Sequence, residues 1–395
     1  MPPVVERERG RSDFLPFHVP AIGEEEIAAV VDVLRSGWLT TGSKAKEFEQ
    51  QFCRFVGARY GVAVNSATAA LHLALAAVGI QEGDEVIVPT MTFAATAEVV
   101  LYLKAKPVLV DCTADTLNID PAAIERAITP RTKAIIPVHF AGQPCDSEPI
   151  LSLARAHGLK VVEDAAHALP ARDHSRMIGA IGDITCFSFY ATKTITTGEG
   201  GMATTNNLEW AEKMRVLSLH GISHDAWNRY SSEGSWYYEV TNVGYKYNLT
   251  DIAASLGLEQ LKKCRNFAAA RRRIAGVYSE AFADLGEIRI PVEERNKEHA
   301  WHLYVIQLEL DRLTINRREF IEALRERNIG SSVHFIPLHL HPFYRQKFGY
   351  QATDFPKAAH AYERIISLPI YPNMTDADVS DVIAAVRSIV ERHRR

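Results

Sequence analysis

The sequence predicts an α/β protein: a mostly parallel sheet flanked by helices, followed by a smaller α+β domain. Three observations carry that expectation. Between residues 60 and 166, short apolar strands alternate with helical stretches, a pattern that builds parallel sheets with helices on both faces. The chain has 395 residues, more than one hydrophobic core usually supports, so two domains are the default. The pattern of the sequence also changes after a long helical stretch that begins near Thr250.

Taken in order, residues 1–13 are highly charged and lack an apolar run, so they read as a mobile tail and not as a signal peptide. Glu24–Leu34 has helical periodicity with acidic residues in its first turn. It runs into the loop Ser36-Gly-Trp-Leu-Thr-Thr-Gly42, where Trp38 is either a cap on the core or a wall of a ligand site. A second amphipathic helix covers residues 43–56, and Tyr60–Val64 is a short strand ending at Asn65-Ser-Ala-Thr-Ala-Ala70. Ala69–Val78 is then helical. This junction is an anion site, with free N–H groups, a helix dipole and the hydroxyls of Ser66 and Thr68, or else an N-cap that needs no ligand.

A strand at Glu85–Val88 leads to the loop Pro89-Thr-Met-Thr-Phe93 and a helix over Ala94–Leu103. The strand Pro107–Val110 follows, then Asp120-Pro121, an N-cap with proline at the first helical position. Thr132–Val138 reads as a strand, Ile150–His157 as a helix, and residues 159–166 as a strand that runs out into Glu163 and Asp164. Leu208–Leu219 is helical and Trp227–Tyr247 is polar and aromatic-rich. A helix from near Thr250 to about Phe282, carrying Arg271-Arg272-Arg273, leaves the first domain and leads into the second. Beyond it, strands are expected at Ala300–Leu310 and Ser332–Phe335, and helices at Arg317–Arg327, Ala358–Ile365 and Asp376–Arg392. The expected domains are therefore 14–265 and 266–395.

The chemistry concentrates at residues 183–201. The alternating strand Ile184–Phe189 runs into Tyr-Ala-Thr-Lys193 and then a glycine-rich turn, and no residue within five positions of Lys193 is charged. A lysine in such a place points into a cleft, where desolvation favours the neutral, nucleophilic amine. In open parallel sheets ligands sit beyond the carboxyl ends of the strands. Ser66, Thr68, Phe93, Asp164 and Lys193 all fall there. A lysine, a strand-end aspartate 29 residues before it, an aromatic ring and a small-residue phosphate cradle suit pyridoxal 5′-phosphate (PLP). The lysine would hold the cofactor and move a proton, the aspartate would pair with the pyridine nitrogen, and the helix start would take the phosphate. The alternative for Lys193 is a buried structural ion pair with Asp164.

At this level of detail the sequence closely resembles the DegT/StrS-like nucleotide-sugar aminotransferases, a branch of the fold type I PLP enzymes. The resemblance rests on Asn-Ser-Ala-Thr-Ala-Ala-Leu-His (65–72), Pro-Thr-Met-Thr-Phe (89–93), Val-Glu-Asp-Ala-Ala-His-Ala (162–168) and Phe-Ser-Phe-Tyr-Ala-Thr-Lys (187–193). Gly-Glu-Gly-Gly (198–201), Gly-Tyr-Lys-Tyr-Asn-Leu-Thr-Asp-Ile (244–252) and Ala-Trp-His-Leu-Tyr (300–304) extend it over nearly the whole chain. It implies a seven-stranded sheet, Lys193 as the Schiff-base lysine, Asp164 at the pyridine nitrogen and Phe93 stacked on the ring. Thr68, Ala69 and Ser188 would hold the phosphate, with Asn248 reaching it from the other subunit of a homodimer. Trp38, Thr40, Thr41 and His334 would line the sugar-nucleotide site. Two positions depart from the common pattern: His167 stands where glutamine is frequent, and Lys246-Tyr-Asn248 replaces Asn-Tyr-Arg, as in the subgroup resembling the 4-amino-arabinose enzymes.

The resemblance implies amino transfer from L-glutamate to C4 of a dTDP- or UDP-linked 4-keto-6-deoxyhexose, with a UDP-4-keto-pentose or C3 amination as alternatives. Lys193 argues against the sugar 3-dehydratases of the family, which carry histidine there. A non-catalytic regulator of this fold would show erosion of Lys193 or Asp164, and both are present. Other classes find no support. A net charge of −4 offers no basic surface for nucleic acid, and no run approaches a membrane helix. Five scattered cysteines without a Cys-x-x-Cys pair suit the reduced thiols of cytoplasm. No Walker A or dinucleotide fingerprint is present, and His339-Leu-His341 alone does not define a metal site.

Overall fold

A computed structural model describes residues 11–222 and 237–395. The expected tail is therefore described only from Arg11, and the aromatic-rich stretch at 227–247 lies outside the described residues as far as 236. The chain forms α1 (Glu24–Ser36), α2 (Ser43–Val56), β1 (Tyr60–Val64), α3 (Ala67–Ala77), β2 (Glu85–Pro89), α4 (Ala95–Tyr102), β3 (Lys106–Val110), α5 (Pro121–Ala127), β4 (Thr132–Ile135), α6 (Ser147–His157) and β5 (Lys160–Asp164). A small ribbon, β6 (Arg172–Asp173) and β7 (Arg176–Met177), precedes β8 (Ile184–Ser188), β9 (Gly201–Thr205) and α7 (Leu208–Ser218). The 32-residue α8 (Asp251–Phe282) leads to β10 (Ile288–Arg289), β11 (Lys297–Glu298), β12 (Tyr304–Leu308), α9 (Arg317–Glu326), α10 (Pro342–Phe348), α11 (Pro356–Tyr362), β13 (Ile365–Leu368) and α12 (Asp376–His393).

The central sheet has seven strands in the order β1-β9-β8-β5-β4-β2-β3. From β8 through β3 the pairings are parallel, and β9 runs antiparallel between β1 and β8. Both faces are buried. Along β1, Val62 and Val64 pack into the core that contains α3, while Ala63 packs into the core that contains α2. Along β8, Ile184 and Cys186 take the first side and Phe187 the second. The second core is aromatic: Phe52 meets Phe187 at 5.0 Å and Phe48 meets Phe189 at 5.2 Å. Each such fully buried ring stabilises the fold by about 1.5–3 kcal/mol, and together they seat α2 beneath the strand that leads to Lys193. The smaller domain has its own sheet, β10-β12-β13, and its own core.

Several boundaries differ from the sequence reading, for long-range reasons. Residues 11–13 are not free: the Arg11 guanidinium lies 2.7 Å from both Asp378 and Asp381. Leu15 is buried in the C-terminal core, with its N–H on the Asn328 carbonyl and its own carbonyl accepting from Gly330, both at 2.8 Å. Residues 11–15 thus strap the first described stretch onto the second domain, whereas α8 (Asp251–Phe282) matches the expected helix. Strand β4 stops at Ile135, after which Val138 makes a single bridge to Asp164. The stretch 332–335 is not a regular strand: only Ser332 pairs, with Ser367. The helix expected at 358–365 ends at Tyr362 because Ile365–Leu368, fully buried, is claimed by the small-domain sheet as β13.

Candidate active site

Strand ends bring the chemistry together. A cavity of about 650 Å³ is lined by residues that follow β1 (Ser66, Ala67, Thr68), β2 (Thr92, Phe93), β5 (Asp164, His167) and β8 (Ser188, Lys193). His334 joins them from the second domain. Seven expected residues therefore share one space: Thr68, Phe93, Asp164, His167, Ser188, Lys193 and His334. Ala69, Trp38, Thr40, Thr41 and Asn248 do not line it.

The reasons are local. At α3 the Ser66 hydroxyl accepts the N–H of Ala69 at 3.1 Å, so Ser66 is an N-cap and Ala69 is occupied by it. The N-cap reading holds, and the capped helix start also forms one wall of the cavity. Gly201 makes the close fit possible, because a Cβ there would stand 2.5 Å from the Ser66 carbonyl carbon. Trp38 closes its own loop by donating from Nε1 to the Thr41 carbonyl at 3.2 Å. Asn248 Nδ2 donates to Thr41 Oγ1 at 2.7 Å, so the 38–41 loop and Asn248 form one unit outside this chain's own cavity.

Asp164 is almost fully buried and accepts from the Thr96 hydroxyl at 2.8 Å and the Ala166 N–H at 3.1 Å. Burial raises its carboxyl above the ordinary value, while Thr96, Ala166, Lys193 and His139 pull the other way. Such a carboxyl holds a proton readily and can share it with a ring nitrogen placed opposite. Lys193 is lowered to about 8 by burial, with Asp164 opposing and Arg271 assisting. About a tenth of its amine is therefore neutral near pH 7, against almost none for an exposed lysine.

The charge state of His167 follows from its hydrogen bond. Its Nδ1 accepts the Ala141 N–H at 3.2 Å, so the ring proton sits on Nε2. Burial first, then Lys193 and His334, keep the ring well below its ordinary pKa. It is a neutral donor. Glu163, the other carboxylate of the β5 terminus, points elsewhere: it accepts from Gly182 and Thr185 and lies 3.4 Å from His139 Nε2.

Residues that the sequence reading did not single out complete the walls. Phe17 and His18 enter from the N-terminal strap, and His302 and Phe335 from the second domain. Phe17 stacks on His334 at 5.5 Å, and His302 lies 4.4 Å from His167. His18 and His334 are lowered to about 4, chiefly by burial. Among the described lining residues the lysine and carboxyl side chains are Lys193, Asp164 and Glu199.

The residues fit PLP. Lys193 supplies a near-neutral amine, Asp164 a proton-sharing carboxyl, His167 a donor, Phe93 a ring, and Ser66–Thr68 with Ser188 a polar corner at a helix start. When bound, the cofactor supplies the electron sink for amino transfer. Fold and site together define a PLP enzyme of the aminotransferase type.

The chain belongs to the DegT/DnrJ/EryC1/StrS aminotransferase family, whose model matches residues 20–387. It is 55% identical over 382 residues to the spore coat polysaccharide biosynthesis protein SpsC of Bacillus subtilis, covering 96% of this chain and 98% of that protein. The PLP-form structure of the putative sugar aminotransferase Spr1654 from Streptococcus pneumoniae matches with a TM-score of 0.89 at 37% identity, covering 96% and 99% of the two chains. Helicobacter pylori PseC, an aminotransferase involved in the biosynthesis of pseudoaminic acid, matches with a TM-score of 0.89 at 31% identity, covering 96% and 100%. The protein is a PLP-dependent sugar aminotransferase.

Proposed function

We propose that the enzyme moves an amino group from L-glutamate to C4 of a dTDP- or UDP-linked 4-keto-6-deoxyhexose, yielding an amino sugar for glycan or natural-product biosynthesis. The observation that carries the reading is Lys193, a lysine lowered to about 8 by burial and sharing one cavity with Asp164. Lys193 Nζ would hold the cofactor and carry the proton between donor and acceptor carbons. Asp164 would keep a proton available at the ring nitrogen, and His167 Nε2–H would donate to the ring oxygen. Phe93 would cover one face of the ring, while Thr68 and Ser188 would meet the phosphate.

The aromatic wall of Phe17, Phe93 and Phe335 favours a sugar with an apolar C6 methyl. The Lys246-Tyr247-Asn248 variant favours the rival reading, a 4-keto-pentose. The biosynthetic context named for SpsC and PseC supports a carbohydrate product.

The active form is a homodimer with shared sites. That reading is supported by Asn248 and the 38–41 loop, which stand outside their own chain's cavity. Val240 and Val243 are exposed apolar residues close in sequence to Asn248. A cytoplasmic site of action suits the five buried, unpaired cysteines.

The test is an assay of purified enzyme with glutamate against a panel of dTDP- and UDP-linked 4-keto-hexoses and 4-keto-pentoses. A product aminated at C4 of the deoxyhexose is expected. Preference for the pentose would transfer the assignment to that sugar, and no amination of any of them, or full activity in Lys193→Ala, would refute the reading.

A further inference from the structure

The helix that joins the two domains buries a cation without a matching anion. Arg271 on α8 is completely buried, and among the described residues it forms no ion pair. Its Nη1 donates to the backbone carbonyls of Ile370 at 2.7 Å, His302 at 3.1 Å and Trp301 at 3.4 Å. Its Nε and Nη2 have no protein partner among the described residues. Carbonyl dipoles compensate only part of a unit charge, and in a low-dielectric interior the remainder is felt over several ångströms. His302 and Ile370 both line the cavity. The guanidinium therefore lies one layer of residues behind the wall that faces Lys193.

The other groups around that lysine can be set out element by element. Asp164 faces it from the end of β5 and Glu199 from the loop before β9. His18 comes from the N-terminal strap, His167 from the loop after β5, and His302 and His334 from the second domain. All four histidines are pushed toward the neutral form by burial. Among the described residues, Arg271 is the cation that acts on Lys193, while Asp164 also feels His139 from behind.

We propose that Arg271 is a positioning residue for amino transfer: clamped on three carbonyls behind the cavity wall, it fixes the Trp301–His302 and Ile370 segments and offsets the Asp164 charge at Lys193 Nζ. The share of the lysine in its neutral, reactive form is thereby increased. The proposal rests on the reading that Lys193 holds the cofactor. The lowering of Lys193 to about 8, to which Arg271 contributes after burial, runs in the required direction. Arginine suits the place because it stays charged even here, where burial lowers it to about 10, and because one planar nitrogen can serve several carbonyls.

The experiment is a pH titration of the visible absorbance of the lysine-bound cofactor in the wild-type holoenzyme, Arg271→Gln and Arg271→Lys, with thermal melts of each. Glutamine keeps a donor and loses the charge; lysine keeps the charge and loses the fork. The midpoint reads the proton on the nitrogen that Lys193 then shares with the cofactor. Arg271→Gln is expected to raise it by about one unit, a tenfold change in proton affinity, and Arg271→Lys by less than half of that. A purely structural clamp would instead lower both melting points and leave the midpoint where it was, and that result overturns the proposal. If neither variant folds, the wild-type apoenzyme decides: a rate of reaction with added PLP whose pH midpoint lies at the ordinary lysine value of about 10.4 refutes it. An enzyme that binds PLP yet shows no Arg271 dependence loses this inference alone. A chain that takes up no cofactor loses both this and the proposed function.

Discussion

Replacing Glu163 by glutamine tests how the back of the site is held. His139 Nδ1 accepts the Cys145 N–H at 3.0 Å, and the His139 N–H donates to the Asp164 carbonyl at 3.2 Å. With Nδ1 occupied as an acceptor, the ring proton sits on Nε2, which lies at ion-pair distance from Glu163 Oε1, 3.4 Å, without a formed hydrogen bond. Burial works against the Glu163 charge, but His139, Thr185 and Gly182 outweigh it and hold the carboxyl below its ordinary value. In Glu163→Gln the amide oxygen can keep the bonds to Thr185 and Gly182 only by turning its NH2 toward the Nε2–H. Two donors then face each other in a fully buried place. A buried donor left without a partner costs about 1–3 kcal/mol. Taking 2 kcal/mol and an unfolding entropy of about 2 cal/mol/K per residue, the midpoint should fall by roughly 2–4 °C, depending on how much of the chain unfolds together. Thermal melts of the two proteins at pH 7 check this, with Glu163→Leu expected to fall further because it strands every donor. An unchanged midpoint in Glu163→Gln would refute the tautomer and the argument built on it.

Three more outcomes follow from the geometry. Thr96→Val removes the buried hydroxyl that donates to Asp164 at 2.8 Å without changing the side-chain shape. It should raise the proton affinity of the carboxyl and weaken PLP binding about tenfold, the equivalent of one charged hydrogen bond of about 1.4 kcal/mol, as read by cofactor titration. Gly201→Ala sets a Cβ 2.5 Å from the Ser66 carbonyl oxygen and 2.7 Å from the Ala67 nitrogen, and backbone cannot yield as a side chain can. A lower melting point with at least tenfold weaker PLP affinity is expected, and wild-type affinity would contradict the tight fit of β9 on the α3 start. The enzyme should also be acid-sensitive before its carboxylates titrate. His18, His72, His334 and His339 are lowered to about 4 and His299 to about 3, in each case first by burial. Below the unfolded value of about 6.5 the unfolded chain binds more protons, so stability is complete above that pH and declines as pH falls toward 4, by up to roughly 1.4 kcal/mol per unit for each histidine. Urea midpoints at pH 7, 6 and 5 and constant ionic strength measure it, and equal values would show that these rings are not held neutral.

What could be read from the sequence was what is encoded locally. Lys193 stands out because its neighbours are uncharged, and Asp164 because a strand runs into it; both signals lie within a few residues. The sheet was legible for the same reason, since each βα unit announces itself over a short window. His302 was within reach, because it lies in the motif Ala300-Trp-His-Leu-Tyr304, but nothing local says that its ring meets His167. Phe17 and His18 were hidden by position: they follow a charged tail, and only the pairing of Leu15 with Ile329 lays them over the cavity. Arg271 read as one of three helix arginines, and periodicity cannot tell which of three adjacent cations is buried. The same limit explains Ile365–Leu368, an apolar run that serves helix or strand equally until β12 claims it.

The strap has a consequence for how the protein is made. Leu15 pairs with Ile329, so it meets a partner made more than 300 residues later. Until Ile329 has been synthesised, Phe14, Leu15 and Phe17 lack the surface they dock on. The large sheet can assemble meanwhile, since its strands all precede α8. The cavity acquires its Phe17–His334 wall only after that. A nascent chain interrupted before Ile329 would carry the lysine and the aspartate and still lack a closed site.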